Sequence, residues 1–423
     1  MNYQGEPAPE RPWLHNPVRF IFTQNNLHGI PYSANMIGNT NTPHRMLAHA
    51  DYVSFTGRYD GQPGTPARAD DRLLTFPNGF GEGEWQRLAI AALGSGAFPI
   101  FLSSRMQQRP SNDYNYRYLL IPAEEAGHLA VTKLHPDWSA QQTGPYSTVV
   151  VDGGTMNNEP LELARTELAG IAGRNPRAGD KADRAIILID PFPEKAPVQK
   201  DKDGKLQGDR ISSAFGLIGS WIDQSRFSTA EMALAEDDQV YSRFMIVPDR
   251  HQSSTSKMFD LASGSLGSFG GFLSEAYRRH DFFLGRRNCQ QFLRRYFSVP
   301  VSNDKLARRI NPELLQEGKG LVFRDEAGQL QIPLIPLYGK LADEERYPDW
   351  PVDSFDPATL SDALTKRLDA LESAIGEIPF FKDHPLRKAE LWAGWKLAKR
   401  SLVELLISTI RDDLKDHNLL TEK

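Results

Sequence analysis

Thr148-Val149-Val150-Val151-Asp152-Gly153-Gly154 sets three consecutive β-branched apolar residues before a carboxylate and two glycines. The valines form a short buried strand, and Asp152 stands at its C-terminal end. Gly153 and Gly154 let the chain turn sharply, because glycine tolerates positive φ and leaves room for a close neighbour. In open α/β sheets, ligands and chemistry gather at such strand ends. Read from the residues alone, the same Asp-Gly-Gly also serves as a plain polar turn.

Downstream, Asn157-Asn158-Glu159-Pro160 reads as a helix start, with Asn158 or Glu159 near the cap and Pro160 first in the helix. Leu161, Leu163, Ala164, Leu168 and Ile171 supply its apolar face. Arg184-Ala185-Ile186-Ile187-Leu188-Ile189-Asp190 is a second near-continuous apolar run. Strand, helix and strand in that order predict a crossover unit with parallel pairing. Upstream, 18–23, 51–55 and 118–121 read as strands, and Gly29-Ile30-Pro31-Tyr32 as a turn into a further strand. A helix over 84–93 carries Trp85, Leu88, Ala89, Ala92 and Leu93 on one face and stops at Gly94-Ser95-Gly96.

Beyond the charged Lys200-Asp201-Lys202-Asp203-Gly204-Lys205 the pattern is mostly helical, over 211–225, 229–237 and 269–296 with a break near Gly285, and a strand over 240–247 interrupts it. A hairpin brackets Asp325-Glu326-Ala327-Gly328, and helices over 357–375 and 385–414 close the chain. Leu386, Trp392, Trp395, Leu402, Leu405, Leu406 and Ile410 are core candidates in the last helix. The expected organisation is a loose segment 1–16, an α/β part 17–200, a helical continuation 201–300, and a C-terminal region 301–423.

The 423 residues suffice for two or three domains with a large core. A net charge of -5 supplies no general attraction to nucleic acid or anionic membranes. The single cysteine, Cys289, excludes an internal disulfide and fits a reducing, cytoplasmic compartment. No apolar run reaches the length of a membrane span.

Three further segments join Asp152-Gly153-Gly154 in one resemblance: Thr23-Gln24-Asn25-Asn26-Leu27-His28-Gly29-Ile30-Pro31-Tyr32, Gly94-Ser95-Gly96-Ala97-Phe98-Pro99, and Gly270-Gly271-Phe272-Leu273 onward to Arg294. Together they resemble the later part of a bacterial patatin-like phospholipase, over roughly residues 17–300. The resemblance implies an incomplete patatin-like α/β core with a partly parallel sheet, followed by a mainly helical region. It implies a serine acyl-ester hydrolase of lipids that works through a Ser–Asp dyad and needs no metal or organic cofactor. Asp152 matches the dyad carboxylate, Gly153 and Gly154 shape its turn, and Gly94, Ser95, Gly96 and Pro99 line the cleft. A lipid or acyl ester is the implied substrate, with contact to a membrane surface and a peripheral location.

The family's Gly-x-Ser-x-Gly nucleophile elbow and glycine-rich oxyanion loop do not occur in this sequence. Their absence implies a chain that starts late in the fold and is inactive alone, with the nucleophile in an N-terminal partner chain or a longer product. The other reading is a non-catalytic lipid- or protein-binding scaffold on the same fold.

Other motifs carry less. Ser95 follows a helix, the reverse of a nucleophile elbow. Gly264-Ser265-Leu266-Gly267-Ser268-Phe269-Gly270-Gly271 reads as a flexible helix start or an anion site. Ser254-Thr255-Ser256-Lys257 reads as a polar loop, and Gly79-Phe80-Gly81-Glu82-Gly83-Glu84 as a helix start whose glutamates would repel phosphate. His44, His49 and Asp51 read as solvated loop residues before a metal set. Arg278-Arg279, Arg286-Arg287 and Arg294-Arg295 recur every eight residues among aromatics. They suit packed helices with ion pairs, or a surface for anionic lipid. Cys289 between them reads as a small buried apolar residue.

Overall fold

The computed structural model describes residues 11–36, 39–58, 66, 68, 70–75, 83–98, 102–122, 129–133, 135–138, 144–157, 160–191, 241–250, 259–317, 321–377 and 385–421. The chain divides into two units, 1–188 with 196–243, and 189–195 with 244–423. The expectations for Pro99, Asn158, Glu159, 192–240 and Ser254 to Lys257 lie outside the described residues.

The first unit is built on strands β1 (Val18–Met36), β2 (Asn39–Arg58), β3 (Arg72–Thr75), β4 (Arg105–Arg109) and β7 (Tyr146–Asp152), in the order β3-β2-β1-β7-β4. Strands β5 (Tyr118–Pro122) and β6 (Leu129–Lys133) form a separate hairpin. The class is α/β with a mixed sheet: β2–β3 is parallel, while β1–β2, β1–β7 and β4–β7 are antiparallel. Gly29 does not end a strand as the sequence suggests. It sits at φ +73° in a bulge inside β1, where the register runs from Asn25 to Ile30 while β2 moves only from Ala50 to Ala48.

Helix α1 (Glu84–Ser95) covers one face of this sheet. Trp85 and Leu88 pack on Val53, Phe55, Leu74 and Ala91. The buried face of α1 therefore runs through Ala91 and Gly94, and Leu93 is exposed. A second core joins Ile30, Tyr32, Tyr114 and Tyr146 with Ala48 and Trp138. After β7 come a single turn, α2 (Gly154–Asn157), and a short helix, α3 (Leu161–Ala169), with Pro160 just outside its first turn.

The expected crossover does not return to β7. Strand β8 (Ile186–Ile189) pairs with β9 (Arg243–Ile246) instead. The reason is geometric: β1 and β4 already occupy both edges of β7, so no ladder is left for a parallel neighbour. Leu168, expected in the core, is exposed, and Arg165 is buried in its place. Its guanidinium donates to the carbonyls of Gly170 (3.1 Å), Ile171 (3.0 Å) and Gly173, closing the C-terminal end of α3.

In the second unit, β10 (Ser298–Pro300), β12 (Leu330–Pro333) and β11 (Phe323–Arg324) form a small sheet, with the expected glycine hairpin between β11 and β12. Gly328 turns it at φ +79°. Helix α4 (Glu275–Arg295) runs unbroken through Gly285, which is exposed and leaves the backbone ladder intact. Helices α5 (Ser361–Gly376) and α6 (Pro385–Asp416) pack together. In α6, Trp392 and Leu405 are exposed, whereas Val403 and Leu414 are buried. Among the described residues no helix is long and apolar enough to cross a membrane.

Candidate functional site

Asp152 ends β7, which lies between β1 and β4 in the five-stranded sheet, opposite Gln24 of β1. Its backbone is held from the α1 side: Asp152 N–H donates to the Ala97 carbonyl (3.0 Å), and Gly153 N–H to the Ser95 carbonyl (3.3 Å). Gly153 is required by close approach. A Cβ there would lie 2.4 Å from the carbonyl carbon and oxygen of Thr23, so no side chain fits. Neither Gly153 nor Gly154 adopts positive φ, so steric room rather than left-handed backbone selects glycine at 153. Behind the turn, Thr155 Oγ1 donates to the Asp152 carbonyl (2.7 Å) and accepts from Asn25 Nδ2 (2.8 Å).

The Asp152 carboxylate is half-buried. Gly154 N–H donates to Oδ1 at 2.7 Å, and among the described residues no protein donor meets Oδ2. Loss of hydration raises its pKa above the ordinary value, and the Gly154 hydrogen bond only partly offsets this. The result is an oriented carboxylate with one open oxygen and enhanced basicity, suited to taking a proton from a hydroxyl.

No family model matches this chain, and no solved structure matches it. A curated relative, "Uncharacterized protein y4iI" of Sinorhizobium fredii (strain NBRC 101917 / NGR234), is 35% identical over 366 residues. The match takes in 80% of this chain and 51% of the relative, so the chain spans about half the length of the relative it matches.

Of the other candidates, Gly94 lies beneath the site: a Cβ there would meet Val150 Cγ2 at 2.8 Å and Gln24 Nε2 at 3.2 Å. Ser95 reaches the Asp152 turn through its carbonyl, at the last residue of α1. Gly96 caps α1 and is exposed. The segment thus brackets the Asp152 turn by its backbone.

Sequence reasoning gave no role to Gln24, Asn25 and Asn26, whose side chains are buried along the pairing with Asp152, Val151 and Val150. Each keeps one buried atom without a partner among the described residues, Gln24 Oε1, Asn25 Oδ1 and Asn26 Nδ2. Three consecutive amides inside a strand were the available signal, since such a strand normally alternates. Asn26 Oδ1 also closes the β1 bulge, accepting from the N–H groups of His28 (3.1 Å) and Gly29 (3.0 Å).

His49 and Asp51 are not loop residues but lie in β2. No group able to hold a metal occurs among the described residues. His49 Nδ1 donates to the Asn26 carbonyl at 2.7 Å. Asp51 is buried in β2 and accepts from Arg117 Nη2 (2.6 Å), Arg109 Nη1 (3.3 Å) and Tyr114 OH (3.0 Å). The same neighbourhood pushes the Tyr32 phenol up to about 12, chiefly through burial.

The turn just before the glycine-rich segment 264–271, and Leu266 within it, bind carboxylates of the chain itself. The N–H groups of Ala262 and Ser263 donate to the Asp281 carboxylate (2.9 Å each), and that of Leu266 to Asp413 (2.7 Å). His280 and Asp281 form a hydrogen-bonded pair at 2.7 Å, but the other ring nitrogen accepts from buried Arg250 and has no room for a substrate proton. Cys289 is exposed, contrary to expectation, because it falls on the outer stripe of α4.

Proposed function

We propose that this chain is the carboxylate-bearing part of a patatin-like acyl-ester hydrolase that acts on lipid esters. The observation that carries the reading is Asp152 at a strand end, fixed through Oδ1 and met at Oδ2 by no donor among the described residues. In this reading Asp152 accepts the proton of a serine hydroxyl as that oxygen attacks the ester carbonyl. The proton passes to the departing alcohol as the ester C–O bond breaks. Water then attacks the acyl-serine, giving its proton to Asp152, and the carboxylic acid leaves as the serine recovers its hydrogen.

The serine and its oxyanion donors come from a segment outside these residues, in a partner chain or a longer product. The second reading, a non-catalytic lipid- or protein-binding scaffold, is favoured by one observation: no Gly-x-Ser-x-Gly occurs in the sequence.

Fluorophosphonate labelling and hydrolysis of a short p-nitrophenyl ester separate the two. They are measured on this chain and on a product extended through the reading frame upstream of its gene. The hydrolase reading expects labelling and turnover from the extended product alone, with Asp152→Asn lowering the rate by about 10²–10⁴-fold. Turnover by the 423 residues alone that survives Asp152→Asn overturns it. An extended product that neither labels nor turns over leaves the scaffold.

A further inference from the structure

The bulge in β1 fixes the orientation of a histidine. Asn26 Oδ1 accepts from the N–H groups of His28 and Gly29 and from the Thr148 hydroxyl, so the bulge is held from inside the sheet. Bulges re-aim side chains in this way. Val149 N–H donates to His28 Nδ1 at 3.2 Å, while the Thr148 hydroxyl spends its hydrogen on Asn26. Nδ1 is therefore bare, the ring is neutral, and its one hydrogen sits on Nε2. Among the described residues nothing accepts that hydrogen.

His28 lines a cavity of about 360 Å³ that lies wholly within the first unit. The buried rings of Tyr32 and Tyr146 line it too, with half-buried Trp138 beside them. Asp137 N–H donates to the Pro31 carbonyl at 2.8 Å, which docks the segment carrying Trp138 against β1. Arg45 and Asp137, 4.0 Å apart, stand at the open side, their side chains 80% and 42% exposed.

The charges select the ligand. Arg45 and Asp137 cancel and His28 is neutral, so these walls carry no net charge. An ion entering here would give up its water without gaining an unmatched counter-charge. The cavity offers apolar ring surface beside one N–H donor, one guanidinium fork and one carboxylate acceptor. A pyranose has matching parts. The C–H bonds of one sugar face lie against aromatic carbon, and the hydroxyls at its edge donate to Asp137 and accept from Arg45 and His28. A flat base fits poorly, because Trp138 and Tyr146 touch, with centroids 5.0 Å apart at 43°, and leave no slot between them.

We infer that the cavity beside the β1 bulge binds a neutral sugar in its pyranose form. The test is saturation-transfer difference NMR on the full chain with the methyl pyranosides of glucose, galactose and mannose. Benzoate and choline serve as the charged probes. Transfer to the ring C–H protons of at least one pyranoside is expected, with an affinity lowered about tenfold by Asp137→Ala and by Arg45→Ala. Both side chains are exposed, and an unchanged circular dichroism spectrum verifies the fold. Absence of transfer to all three pyranosides, transfer unaffected by either substitution, or transfer to benzoate or choline alone overturns the inference. The measurement involves neither an ester nor Asp152, so this cavity and the hydrolase reading stand or fall separately.

Discussion

Asp152 holds a charge where the fold disfavours it. Burial raises its pKa in the folded chain, so its favourable contribution is complete below the ordinary value of 3.8 and is lost as pH rises through the raised value. Asp152→Asn removes that loss and keeps an oxygen for the Gly154 N–H. The variant is expected to be more stable than the parent at neutral pH, and the advantage should shrink toward about pH 4. Urea midpoints across that range measure it; an advantage that is flat or grows on acidification refutes the assignment. Much of this position was legible locally, because three valines, an acid and two glycines specify a strand, its end and a tight turn. Arg165 and Cys289 were not. An arginine on an apolar face and a cysteine among aromatics take their places from loop 170–173 and from the rotation of α4, and neither is a local property.

Among elements, β2 shows how a readable strand acquires an unreadable role. The run around 51–55 has strand composition, yet Asp51 is matched by Arg109 and Arg117, which lie far along the chain. Two guanidinium groups and a phenol converge on one carboxylate with almost no solvent exposure. Asp51→Ala would take from buried Arg117 its ion-pair partner and leave Arg109 with Asp113 alone, at a cost of about 3–5 kcal/mol. Asp304→Ala breaks an exposed pair with Arg308 and should cost no more than about 0.5 kcal/mol. Chemical denaturation of the two variants compares them directly, and equal losses would mean that the Asp51 cluster is hydrated. The expected crossover after β7 failed for a related reason, since edge occupancy by β1 and β4 is a property of the assembled sheet.

In the molecule as a whole, long segments without regular structure are held by single side chains. Gln290, buried on α4, donates to the carbonyls of Leu341 (2.8 Å) and Asp343 (2.6 Å) and accepts from Glu345 N–H (2.9 Å). Gln290→Ala should lower stability by about 1–3 kcal/mol and release amide-exchange protection at Glu345, while protection in β12 persists. Unchanged exchange at Glu345 would show that other contacts hold the segment. By itself the sequence determined the helical periods, the glycine hairpin and the strand that ends in Asp152, because each depends on residues close together in the chain. Tertiary structure alone decided the strand order, the burial of Gln24, Asn25 and Asn26 beside that aspartate, and which arginines face outward. Those features depend on which surfaces exclude water together, and the groups concerned meet only when the chain has folded.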